Sequence, residues 1–229
     1  MALVGAFASA SASAITPVYL LCLEKEGAGT RYATSSCSPE KSPKGKFELV
    51  PVTEELGVNG TGGLSTLKTK LDGATLVITC SKSTFTGNIG PKGLSNGTVT
   101  YGGCKAFSPE GTELVNCEVA NIKFKFVDQL IENAKHEIED EFKPATGSTF
   151  VEIELLNKGA SCIQKGTYKV EGTQNAEVEQ GPGAKLLREL TFKESGSHLT
   201  FGPSKEKATY EGKVSIDLND DCNWGASIP

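Results

Sequence analysis

The chain reads as an all-β protein, with antiparallel strands folded into a β-sandwich or barrel-like sheets and braced by disulfides. Three observations predict this. Residues 74–126 break into runs rich in Val, Ile, Thr, Phe and Tyr, such as A-T-L-V-I-T-C, G-T-V-T-Y-G-G-C and I-K-F-K-F, separated by Gly, Pro, Asn and Ser. Strands joined by turns have this composition. The segment L-S-T-L-K-T-K-L at 64–71 alternates apolar and polar residues, the period of a strand with one wet face. Hydrophobic residues make up 38% of the 229-residue chain, a low share that suits β layers in which only alternate residues need be apolar.

Taken in order, residues 15–24 form a nearly continuous apolar run, right for a buried or docked strand. Residues 38–45 read as a polar loop and 46–52 as a strand. The segment 54–63, with V-N-G-T-G-G, reads as a turn-rich connection. Asp72-Gly73 is a hairpin dipeptide between strands 64–71 and 74–82. Asn96-Gly97 is expected to turn the chain into a strand over 98–107. Both Asn59-Gly60-Thr61 and Asn96-Gly97-Thr98 match the glycosylation sequon, but Asn-Gly is favoured in turns because both residues tolerate positive φ. Over 126–142, Val127, Leu130, Ile131, Ala134, Ile138 and Phe142 recur three and four apart, which predicts a helical turn near 128–135 before a strand pair. The last third returns to strands at 162–170, 185–193, 198–201 and 208–218. This divides the chain into a segment 1–14, a cysteine-rich β region 15–126 and a second β region 127–229, the last two in one domain or two.

Residues 1–14 are apolar and then small, ending in overlapping Ala-x-Ala sites without a positively charged front. They are expected to be the back of a secretory signal peptide, cleaved after Ala10, Ala12 or Ala14. Seven cysteines fit an oxidising compartment. Cys22 and Cys37 flank a Gly-containing turn and are expected to bond across a hairpin. Closing that loop stabilises by roughly 3 kcal/mol in the chain-entropy model. Cys80 is expected to pair with Cys104 or Cys117, all three lying on neighbouring strands. Cys162 takes the remaining one, which leaves Cys222 free or intermolecular. No C-x-x-C pair or His cluster has zinc spacing.

Net charge is -5, and the basic residues are interspersed with acids. Nucleic acid as a partner would call for clustered Lys and Arg. No run approaches the roughly 20 apolar residues of a membrane-spanning helix. Only His136 and His198 could serve as bases, and no G-x-S-x-G elbow presents a serine. Glu137, Glu139, Asp140 and Glu141 are the densest acidic run, the material a glycosidase would need if two carboxyls faced each other across a cleft. Asp217, Asn219 and Asp221 have the spacing of the first ligands in a calcium loop, although Cys222 stands where the turn Gly belongs and no Glu follows at the twelfth position. No other cofactor is suggested; the stretch 87–93 lacks the phosphate-loop pattern. Trp224 is the only Trp, which makes a carbohydrate platform thin.

Three groups of residues carry a resemblance. They are the Cys22 to Cys37 segment ending in F-E-L-V-P, I-T-C with G-N-I-G-P-K-G and V-T-Y-G-G-C, and F-K-P-A-T-G-S-T-F-V-E-I-E. With these the chain resembles a group of secreted, cysteine-containing all-β proteins of high-GC Gram-positive bacteria. The resemblance implies export and a β fold, and a strand before Lys143-Pro144 in place of the helical turn. It implies no activity and no site residues. The function expected is that of an exported, non-enzymatic structural or binding module, extracellular or at the cell surface, with the cell wall or other copies of the chain as partners. A secreted carboxylate-dependent, glycosidase-like hydrolase is the alternative. Cleavage after Ala14 would give a mature form beginning at Ile15, and mass spectrometry of secreted protein checks it: intact Met1 on a reduced cytosolic product is the contrary outcome.

Overall fold

The computed structural model describes residues 16–26, 31–35, 37, 41–159, 161–178, 189–219 and 223–227. Among them the chain forms sixteen strands and one 3-10 turn, Pro91–Gly93. The strands are β1 (Val18–Glu24), β2 (Arg31–Tyr32), β3 (Lys41–Ser42), β4 (Phe47–Pro51), β5 (Leu56–Gly62), β6 (Ser65–Leu71), β7 (Ala74–Ile89) and β8 (Leu94–Phe107). They continue with β9 (Cys117–Val119), β10 (Lys123–Glu132), β11 (Ile138–Pro144), β12 (Thr149–Asn157), β13 (Gly166–Val178), β14 (Glu189–Phe201), β15 (Glu206–Leu218) and β16 (Asn223–Ser227). The all-β expectation holds, with antiparallel pairing throughout.

Eleven strands form one sheet, in the order β11-β10-β8-β7-β5-β15-β14-β13-β12-β9, with β6 below β5 between β7 and β15. β11 also pairs with β13, from Glu139 opposite Glu177 to Phe142 opposite Gln174. That contact closes the sheet on itself. Strands on both sides of residue 126 share the closed sheet, and β10 runs through that position. The second sheet, β16-β1-β4-β2-β3, lies against one end of the barrel. Its strand β1 places Tyr19 in the same buried cluster as the barrel interior. The described part of the apolar run, β1, therefore docks within its own chain, between β4 and β16.

The helical turn expected near 128–135 does not form. β10 continues to Glu132 and meets Ile138 of β11 across a short turn containing His136 at φ 62°. Phe124, Phe126, Asp128 and Leu130 face inward with period two, as do Ile138, Asp140 and Phe142. The three-and-four spacing of apolar residues there arose from mixing inward residues with Val127 and Ile131 on the outer wall.

Both Asn-Gly pairs lie within strands. The turn before β8 is made instead by Pro91, Lys92 and Gly93, the latter two at positive φ. Gly97 stays inside β8 because aromatic rings need its space. An added Cβ would stand 2.5 Å from Phe85 Cε2 and 3.0 Å from Phe126 Cζ. The expected connection 54–63 is likewise mostly β5, where Gly60 lies opposite Phe85 and lets that ring cover the backbone. Asp72-Gly73 does form the expected hairpin turn, both residues at positive φ.

The described cysteines form three disulfides, Cys22–Cys37, Cys80–Cys104 and Cys117–Cys162. Cys80 and Cys104 are direct partners on β7 and β8. Cys22–Cys37 does not cross a simple hairpin, since β4 lies between β1 and β2. Cys222 lies outside the described residues.

The glycine packing predicts that Gly97→Ala destabilises by about 1–3 kcal/mol through overpacking. Melting should fall by about 2–4 °C per kcal/mol for a chain of this size. Differential scanning calorimetry checks this; an unchanged melting temperature would mean that Phe85 and Phe126 do not occupy that space.

Candidate functional site

Alternation along the barrel strands sends one residue in two to the interior, and the inward positions are unusually aromatic. A continuous chain of rings runs Phe85–Phe126–Phe142–Phe192–Tyr210–Tyr101–Phe124–Phe150, with successive centroids 5.0–6.2 Å apart. Of the ten Phe and five Tyr in the chain, six Phe and two Tyr thus surround one space. That space is an apolar cavity of about 120 Å³. Its polar fixtures are few. The Tyr101 and Tyr210 hydroxyls share a hydrogen bond of 2.8 Å. Gln174 accepts from the Ser197 hydroxyl at 2.5 Å and donates to the Asn175 carbonyl at 2.9 Å. Burial raises both tyrosines above their ordinary value, so each keeps its proton and can donate.

At the end of the barrel covered by β1 and β16 the lining changes character. Tyr19 and Trp224, their rings 6.0 Å apart, sit over a chamber of about 20 Å³. Ser95, Asp128 and Asp140 line it. The registers explain why they meet. Ser95 of β8 lies directly opposite Asp128 of β10, whose neighbour Leu130 lies opposite Asp140 of β11. The two aspartates are therefore diagonal neighbours on the inner face. The Ser95 hydroxyl donates to Asp128 Oδ1. Asp140 faces Asp128 and the Tyr19 hydroxyl, yet its Oδ1 is buried without a hydrogen-bond partner among the described residues.

Burial raises Asp140 well above the usual carboxylate range, and the negative charge of Asp128 raises it further. Burial raises Asp128 as well, opposed by its contacts with Asp140 and Ser95. The two carboxyls titrate as a pair and keep a proton at pH values where an exposed carboxyl has lost it. Outside the wall, a groove of about 490 Å³ shares Ile89, Ser95 and Asp128 with the chamber. Asp128 thus lines both the groove and the chamber, and Asp140 the chamber alone.

The residues singled out from the sequence lie elsewhere, with one exception. Asp140 belongs to the pair, while Glu139 and Glu141 point to the opposite face of β11. There Glu139 accepts from Asn133 and Asn175, and Glu141 pairs with Lys143. Glu137, in the turn before β11, accepts from Asn133 Nδ2 at 3.2 Å. His136 is exposed and paired with Glu132, and His198 is exposed on β14. Asp217 is exposed near the end of β15, and the Asn219 side chain accepts from Asn59. Asp221 lies outside the described residues, among which no group of three or more His, Cys, Asp or Glu could hold a metal ion. Asp128 and the aromatic ring chain were missed. The alternation in F-K-F-V-D-Q-L carried the signal, but the helical period assigned to 128–135 concealed it.

Comparisons with protein-family models, with curated proteins and with solved structures found no match to this chain.

A raised native pKa contributes stability that is complete below the unfolded pKa and is lost as pH rises through the native one. The Asp128–Asp140 pair should therefore make the protein progressively less stable from the ordinary carboxylate range upward. Urea unfolding at a series of pH values, compared with Asp140→Asn, checks this. The difference between the two proteins should grow in the variant's favour as pH rises; a difference independent of pH would refute it.

Proposed function

We propose that this protein is an exported binding barrel whose interior holds a small, largely apolar molecule. The observation that carries the reading is the cavity within the ring of aromatics. Protein interiors are close-packed, and voids larger than a water molecule are few. At about 24 cal/mol per Å³, a cavity of 120 Å³ costs about 3 kcal/mol. A void of comparable size lined by Leu, Ile and Phe takes up benzene when empty of water. The volume limits the ligand to about the size of a single substituted aromatic ring, well below the roughly 300–1,000 Å³ of sites for drug-sized ligands. The Tyr101–Tyr210 hydroxyl pair offers a fixed point for one polar substituent.

Export is supported by the three disulfides, which suit an oxidising compartment outside the cytosol. The binding reading is favoured over a carboxylate-dependent hydrolase because Asp128 and Asp140 lie against each other beneath Tyr19 and Trp224. A glycosidase needs its carboxyls about 5–9.5 Å apart, with sugar and water between them.

Toluene is a suitable probe. It should raise the melting temperature of the full chain and broaden or shift ring resonances of the cavity residues by NMR. Val170→Phe, which places a ring in the cavity, should abolish those shifts. It should leave the ligand-free protein as stable or more so, by up to about 2 kcal/mol as cavity-filling changes do. Toluene that neither shifts resonances nor raises melting would refute the reading.

A further inference from the structure

The geometry points to a small amine as the barrel's ligand, its ammonium group seated among Asp128, Asp140 and Tyr19 and its apolar body in the aromatic cavity. This rests on the reading of the barrel as a binding protein and adds the chemistry of what it binds.

Four observations converge on it. The chamber of about 20 Å³ has room for one group the size of a water molecule, and an ammonium head is of that size. It adjoins the larger cavity, the two sharing Phe85, Phe142, Leu190 and Ile216 as walls. A molecule with a one-atom polar head and a ring-sized body matches the two spaces together. Second, Asp140 Oδ1 is a buried acceptor without a partner among the described residues. A buried polar atom in this state is costly unless something donates to it. Third, the groups lining the chamber include two acids and no Lys or Arg, so negative charge on the pair meets no cation there. An ammonium supplies both the missing donor and the missing charge. Fourth, the remaining walls include the rings of Tyr19, Trp224, Phe85 and Phe142, and aromatic faces attract cations most strongly where water is excluded.

The same features discriminate. A neutral alcohol can donate to Asp140 but leaves the charge of the pair unbalanced. A carboxylate is repelled. A hydrocarbon of the same shape fills the cavity and leaves the orphan acceptor unpaired. Binding of the amine depends on pH through the groups facing the chamber. These are Asp128 from β10, Asp140 from β11 and Tyr19 from β1, with Ser95 from β8 as a non-titrating donor. Glu139 and Glu141 lie on the outer face of β11 and Lys143 at the outer groove. As pH falls and the pair gains its second proton, the preference for a cation should shrink.

Isothermal titration of the full chain with benzylamine, benzyl alcohol and toluene tests this. The expected result near neutral pH is at least about tenfold tighter binding of benzylamine than of benzyl alcohol, for one charge-assisted contact in a buried site. That ratio should decline toward unity as pH falls and the pair becomes fully protonated. Replacing both acids, Asp128→Asn with Asp140→Asn, leaves no carboxyl in the chamber and should bring benzylamine down to the affinity of benzyl alcohol. Should that variant fail to fold, the pH series on the unaltered protein decides the same question. Equal affinities for the amine and the alcohol, with toluene bound, would overturn the amine assignment and leave the binding barrel standing. A tenfold ratio that persists in the folded variant lacking both carboxyls would also overturn it. No uptake of any of the three compounds would overturn both.

Discussion

The pairing of β11 with β13 is the contact on which the rest of the molecule depends. Without it the eleven-stranded sheet would be a long open ribbon whose outer strand exposes a row of unpaired amides and carbonyls. With it, β11, β10, β8, β7, β5, β15, β14 and β13 form a ring of eight strands at the end covered by β1. A closed ring of that number has an interior that side chains fill, or nearly fill while leaving room for one small ligand. Closure also converts the alternation of each strand into an inside and an outside. The inner positions carry Phe, Tyr, Leu, Ile and Val, and the outer ones carry the Lys–Glu pairs seen on β14 and β15.

How the interior is occupied follows from the sizes of its residues. Gly60 and Gly97 give up side chains on the wall so that Phe85 and Phe126 can lie flat against it. Rings packed in this way are rigid and leave a void between them, where flexible Leu or Met would have collapsed into it. The structure thus carries a local cost in stability at the void, the place where we propose that a ligand is held. The covered end carries a second such cost. Two carboxyls that would be better solvated are held under Tyr19 and Trp224, with Ser95 satisfying one of them.

Parts of this were legible in the residues alone. Turn residues between β-rich runs marked most strands, and the hairpin at Asp72-Gly73 follows from backbone preference alone. The pairing of Cys80 with Cys104 chose between two alternatives that spacing left open, because β7 and β8 are adjacent and bring the two into register. Other parts were hidden. Asn96-Gly97 carries a turn preference that tertiary packing overrides, since two Phe rings need the missing side chain. In 126–142 apolar residues occur on both faces of β10 and β11, and the mixture imitates a helical period. That imitation also concealed the candidate site, because Asp128 looks like an ordinary surface carboxylate until its strand register places it beside Asp140.

What the sequence by itself determined is local and additive: β propensity, the turn at Asp72-Gly73, the disulfide-bearing segments and the net negative charge. These depend on residue type and near neighbours. The tertiary structure alone decided where the sheet closes, which rings meet across the interior, and that Ser95, Asp128, Asp140 and Tyr19 share one chamber. Those residues lie far apart in the chain, and their approach is set by strand order and register. A shift of register by a single residue would turn each of the two aspartates out to solvent.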